Sequence, residues 1–182
     1  MSMIRLSKIS NSITESKKLR VFDFDDTLAT TNSHIYVRKS NGGEFKLTPG
    51  EFAVYEPKPG EEFDFRDFHS LIEPKLIKGY FKLLQRMVFK DGNRGVFILT
   101  ARPAYRPIKN FIRDLGLKNV YVVALGSSNP EDKADWIENQ VIKYGYDDVY
   151  FVDDSLKNVK AVDRRLQKYP NVKRKIQHIK HG

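Results

Sequence analysis

Short apolar runs alternate with segments of helical period along most of this chain, and three of the runs stop abruptly at polar residues. Leu19–Phe24 carries Asp23 and leads to Asp25, Val96–Leu99 leads to Thr100, and Val149–Val152 leads to Asp153 and Asp154. Runs this short and this rich in branched and aromatic residues suit strands buried on both faces. Between them Leu76, Ile77, Tyr80, Leu83, Leu84, Met87 and Val88 recur at helical spacing, with Asp91-Gly92 as the expected stop. Ile108, Phe111, Ile112 and Leu115 mark a second helix closed by Gly116. Val120–Ala124 reads as the third strand. Asn129 and Pro130 then read as N-cap and first position of a helix that carries Lys133, Trp136 and Ile137 and stops near Gly145. Leu156, Val159, Val162 and Leu166 give a further helix before Pro170, and a last strand is expected over Lys175–Ile179.

Strands that alternate with helices predict an α/β fold: three layers, Rossmann-like, with a mostly parallel sheet between helices. In such sheets ligands sit outside the carboxyl ends of the strands. Asp23, Asp25, Thr100, Asp153 and Asp154 all fall at such ends, and Lys133 enters from the helix after the third strand. Carboxylates this close repel one another and need a cation or a shared proton. Mg²⁺ suits an all-oxygen site.

One interruption breaks the alternation. His34–Arg38 and Glu44–Leu47 flank Ser40-Asn-Gly-Gly43, a hairpin signal. Pro49 to Pro74 follows, rich in Pro, Gly, acids and aromatics, with Phe63, Phe65 and Phe68 spaced through it. An irregular surface excursion with its aromatics tucked inward is the expectation; the alternative is a lid or cleft wall. Asn32–Pro74 therefore predicts a small hairpin-like cap inserted in a single domain over residues 19–182, and residues 1–18 read as a loosely held polar arm.

Composition narrows the partners. The 182 residues carry 32 Lys and Arg against 23 Asp and Glu, a net charge of +9, which favours polyanions. There is no cysteine, so disulfides and thiolate metal sites are excluded. No apolar run approaches the roughly 20 residues of a membrane span, and the first 18 residues lack the apolar centre of a secretory signal. A cytoplasmic monomer with no membrane partner is the expectation. His34, His69, His178 and His181 have no metal-ligand spacing.

The ordered set Asp23-Phe-Asp-Asp-Thr27, Thr100 after Phe97-Ile-Leu99, Lys133, and Asp153-Asp-Ser-Leu-Lys-Asn158 resembles the haloacid dehalogenase superfamily of phosphohydrolases. More loosely, the chain is similar to the phosphatase half of phage polynucleotide kinases. The resemblance implies a Mg²⁺-dependent phosphatase that works through an aspartyl-phosphate. It makes Asp23 the nucleophile and Asp25 the acid and base. Thr100 and Lys133 contact the phosphoryl group and its charge, while Thr27 and Arg102 bind substrate. Asp23, Asp25 (through its backbone carbonyl), Asp153 and Asp154 serve the metal, with the direct ligand of the last two left open.

A small cap implies an open cleft, and an open cleft with a basic surplus points to phosphorylated DNA or RNA ends. Nucleotides and sugar phosphates are the competing substrates, and a non-catalytic nucleic-acid-binding module on the same fold is the competing class. Arg164, Arg165, Lys168, Lys173, Arg174, Lys175 and Lys180 could track a phosphate backbone, or could simply solvate a helix and protect an edge strand.

Overall fold

A computed structural model describes residues 16–90 and 94–180 of the chain. The central sheet has five strands: β1 (Lys18–Phe22), β7 (Arg94–Thr100), β8 (Tyr121–Ala124), β9 (Asp148–Asp153) and β10 (Lys173–His178). Their order is β10-β9-β1-β7-β8, and every pair is parallel. The α/β expectation holds.

Period-two alternation in these strands feeds two cores. Phe22, Ile98, Tyr150 and Val152 face one side, where α2 (Lys78–Phe89) and α3 (Arg106–Asp114) contribute Phe81, Leu84, Ile108 and Ile112. Leu19, Val21, Leu99, Val149 and Phe151 face the other, against Ile137 and Val141 of α4 (Pro130–Tyr144) and Val159, Val162 and Leu166 of α5 (Leu156–Leu166). Burial on both faces explains why the strand sequences are nearly continuous in apolar residues.

The insertion is more ordered than its composition suggested. It contains β3 (Ile35–Arg38), β4 (Glu44–Leu47), a short helix α1 (Pro49–Ala53), β5 (Glu62–Asp64) and a 3₁₀ turn (Arg66–His69). β3 is the centre of a three-stranded antiparallel sheet ordered β4-β3-β5. The hairpin was legible; β5 and α1 were not expected. A capping box starts α1: the Thr48 hydroxyl accepts from Glu51 N at 3.1 Å, and Glu51 accepts from Thr48 N at 3.0 Å. Thr-Pro-Gly-Glu is a readable helix start. Two short strands, β2 (Ala29–Thr30) and β6 (Lys75–Leu76), pair antiparallel at the base of the insertion. Leu76, expected on a helix, belongs to β6.

Other boundaries shift by a few residues. β1 ends at Phe22 because the chain turns at once: Leu28 N donates to Phe24 O at 2.9 Å and Asp26 N to Ala29 O at 2.8 Å. β10 starts at Lys173, two residues before the strand expected. Asn129 caps α4 through its side chain, and Gly145 ends it at φ 69°, both as expected. The Asp91-Gly92 stop and residues 1–15 of the expected arm lie outside the described residues. Ser16 and Lys17, also assigned to that arm, bond to the Asp147 carboxylate, at 3.0 Å from the Ser16 hydroxyl and 2.8 Å from Lys17 N, and Lys18 opens β1.

Candidate functional site

The carboxyl edge of the sheet carries the predicted residues together. Asp23 follows β1 directly and its N–H donates to Val152 O of β9 at 3.0 Å, so the first acid is locked to the strand that delivers the second pair. Asp26 holds φ 59° in the turn that follows. That left-handed position is one Asp tolerates better than most residues, and it brings Thr27 back under Asp23. The Thr27 hydroxyl donates to Asp23 Oδ2 at 2.9 Å, and both residues are buried.

Lys133 enters from the first turn of α4 and is 2 % exposed. Its ammonium donates to Asp23 Oδ1 at 2.8 Å and to Asp153 Oδ2 at 2.9 Å. Burial opposes its charge, but Asp153 and Asp23 outweigh burial and hold the ammonium well above its ordinary pKa. Asp153 is fully buried. It also accepts from Ser155 N at 2.8 Å and from Asn158 Nδ2 at 3.0 Å. Asn158, the non-acidic end of the last motif, thus orients the carboxylate rather than adding another.

Asp23, Asp153 and Asp154 each place a carboxylate oxygen within 4.8 Å of the others. Burial, then the Asp153 charge, raises Asp23 to about 7. Burial, then the Asp23 charge, raises Asp154 to about 10. In the absence of a metal ion, burial and mutual repulsion favour a proton shared by Asp23 and Asp154, against the pull of the Lys133 ammonium on Asp23. Hard carboxylate oxygens with a displaceable proton are a donor set that Mg²⁺ fits. The carboxylate of Asp25 stands apart from this trio.

Asp25 is instead gripped by Arg102. Nε donates to Oδ2 at 2.9 Å and Nη2 to Oδ1 at 2.8 Å. The remaining guanidinium donors reach the insertion: Nη1 donates to Ser70 O at 2.9 Å, and Nη2 to the Thr31 hydroxyl at 3.3 Å. Arg102 is 3 % exposed and lies over the Phe68 ring at 4.6 Å. It lines the cleft, yet its donors are engaged by protein, so it positions Asp25 and the insertion instead of offering a free fork to substrate. Its partners are 77 and 32 residues away, which no spacing rule could have revealed. Thr100, 1 % exposed, accepts from Arg102 N at 3.1 Å and keeps its hydroxyl proton to donate.

Asp23, Asp25, Thr100, Arg102, Lys133, Asp153 and Asp154 line one cleft of about 320 Å³; Thr27, expected to bind substrate, is fully buried under Asp23 and is not among the lining residues. Phe52, Tyr55, Phe65 and Phe68 of the insertion line it too, so the insertion is a wall of the cleft and not an excursion away from it. Phe63 lies behind, against Phe52 and Tyr55. Lys157 of α5 reaches Glu56 of the insertion at 3.2 Å. His178 sits against Asp154 O at 2.9 Å through Nε2, a backbone contact with no local signal in the sequence.

The basic C-terminal cluster is largely paired. Arg165 binds Glu131, Asp135 and Glu138; Arg164 binds Glu131, Lys168 binds Glu138, and Arg174 binds Asp163. Among the described residues no helix is long and apolar enough to cross a membrane. No protein-family model matches the chain, and neither a curated protein nor a solved structure matches it.

Proposed function

We propose that this chain is a Mg²⁺-dependent phosphomonoester hydrolase of the haloacid dehalogenase type, with Asp23 as nucleophile. The observation that carries the reading is the setting of Asp23. Its carboxylate is buried at the carboxyl edge of a parallel sheet, between the Lys133 ammonium and the Thr27 hydroxyl and beside Asp153 and Asp154. A structural aspartate has no need of so many costly neighbours.

In this reading an Asp23 oxygen bonds to phosphorus as the ester P–O bond breaks. Asp25, after taking up a proton from solvent, passes it to the leaving oxygen. Water then attacks the phosphorus of the aspartyl-phosphate and passes a proton to Asp25. Inorganic phosphate leaves, and the Asp23 carboxylate is restored. Arg102 fixes the plane of the Asp25 carboxylate, and each oxygen keeps a second lone pair for the proton. Lys133 and the Thr100 hydroxyl oppose the charge that builds on the phosphoryl oxygens. Asp23, Asp153 and Asp154 would hold Mg²⁺, which supplies the charge that lets a phosphate dianion approach these acids.

Turnover of p-nitrophenyl phosphate with and without Mg²⁺ tests this. Asp23→Asn keeps the shape and removes the nucleophile, so kcat should fall on the order of 10³-fold or more. Full turnover in Asp23→Asn would sink the covalent mechanism.

A further inference from the structure

The cleft has two unlike sides. Its floor is ionic, with Asp23, Lys133, Asp153 and Asp154. Its wall is apolar: Ile35, Pro49, Phe52, Ala53, Phe65 and Phe68 bring no polar side-chain atom to it. The Tyr55 hydroxyl beside these residues already donates to Glu61 at 2.8 Å. Sugar hydroxyls turned toward these apolar residues would find no hydrogen-bond partner in them, although Ser127, Ser128 and Lys157 line the cleft elsewhere.

The wall is also held firm. Phe52 and Phe65 meet edge to face at 5.5 Å and 81°, Phe52 meets Phe63 at 5.5 Å, and Phe65 meets Phe68 at 6.2 Å. Phe68 is buried beneath the Arg102 guanidinium and anchors the group. Phe52 and Phe65 remain half-buried. No residue of α1 is fully buried, and Phe52 packs on Phe63 and Phe65 while keeping part of its ring exposed. Apolar ring surface left open opposite an ionic floor, on a rigid mount, is the form of a ligand wall.

We propose that this wall is a ring-binding subsite, and that the cleft takes phosphomonoesters bearing a planar ring near the phosphate. The inference rests on the phosphatase reading of the floor. A nucleoside monophosphate has this chemistry, and so does the terminal nucleotide of a phosphorylated single strand. About 320 Å³ is room for one such unit. Base-on-aromatic stacking tolerates any base, so selection acts on the presence of a ring rather than on its identity.

The test compares kcat/KM, with Mg²⁺, for nucleoside 3′- and 5′-monophosphates, single-stranded oligonucleotides phosphorylated at either end, and ribose 5-phosphate as the control without a planar ring. Ring-bearing substrates should be favoured about tenfold or more, the scale of one stacking contact. The preference should shrink toward parity in Phe52→Leu and, independently, in Phe65→Leu. Mononucleotides ahead of oligonucleotides identify a free nucleotide as the source of the ring; the reverse identifies a strand end; both uphold the subsite. Ribose 5-phosphate matching the nucleotides, or a preference that neither variant moves, overturns it. Should no compound turn over, the phosphatase reading fails, and the wall is judged by calorimetric titration of the Mg²⁺-loaded protein. Tighter binding of the nucleoside monophosphate than of ribose 5-phosphate, weakened in Phe52→Leu, upholds the subsite; equal or absent binding overturns it.

Discussion

Arg102 and Asp25 meet through two parallel hydrogen bonds, and the same guanidinium donates to Ser70 O and the Thr31 hydroxyl in the insertion. One buried side chain therefore ties the proposed acid and base to the wall that faces it. A planar fork can meet both oxygens of a carboxylate in parallel while its remaining donors reach other acceptors; an ammonium cannot reproduce that bidentate geometry. The position of the wall and the orientation of Asp25 are in this way a single geometric variable.

Arg102→Lys should accordingly damage both. Losing the bidentate contact at a site this buried should cost on the order of 3 kcal/mol in stability. Turnover should fall at least about tenfold, the scale of a misplaced proton-transfer group. Denaturant titration alongside kcat measures the two. Parent-like values for both would show that the fork is dispensable.

Lys133 is the one cation within hydrogen-bond reach of both Asp23 and Asp153 among the described residues. Lys133→Met leaves these buried carboxylates facing each other with no ammonium. We expect a loss of about 3–5 kcal/mol in metal-free protein near pH 8, and a smaller loss near pH 6, where protons neutralise the acids. Equal stability of variant and parent near pH 8 would contradict the electrostatic account.

The sequence displayed the floor of this site more readily than its wall, for a physical reason. Asp23, Thr100 and Asp153 end buried strands, and a buried strand announces itself locally through its apolar run. Lys133 follows from a capped helix whose start, Asn129-Pro130, is equally local. The wall depends on pairing that is not local: β5 joins β3 across an intervening hairpin and helix, with Val37 opposite Phe63. The grip of Arg102 on Asp25 was likewise out of reach: the resemblance made Arg102 a substrate-binding residue, and nothing local ties it to a carboxylate 77 residues away. Thr48-Pro-Gly-Glu51 was a local signal that could have placed α1, and with it Phe52.

Metal-free protein should lose stability as pH rises. Asp23 and Asp154 are raised in the folded state, to about 7 and about 10, from an unfolded value of 3.8. Folded protein thus holds more protons than unfolded protein above pH 4, so the stability these groups contribute is complete below that pH and declines above it. The two acids titrate as a pair over this range. The melting temperature in a chelator should fall by several degrees between about pH 5.5 and pH 8.5, at about 2–4 °C per kcal/mol for a chain of this size. Mg²⁺ should raise it more at the higher pH, because the cation displaces the shared proton. Asp154→Asn should flatten the metal-free profile. A metal-free melting temperature that climbs across this window would refute the shared proton.

Arg165 lies among Glu131, Asp135 and Glu138, and its side chain is 21 % exposed. It joins α5 to α4 as part of a network that also includes Arg164 and Lys168. A guanidinium held by three carboxylates is poorly placed to release counterions from a polynucleotide. Arg165→Met should therefore lower stability by about 1 kcal/mol, the upper range of an exposed pair raised slightly by the network. It should leave the salt dependence of oligonucleotide turnover as it is in the parent protein. Lys173 and Lys175 offer the contrast, since both are exposed on the edge strand β10. If the slope of log kcat/KM against log salt becomes shallower by about one in Arg165→Met, that arginine contacts a phosphate in the complex and its intramolecular pairs give way on binding.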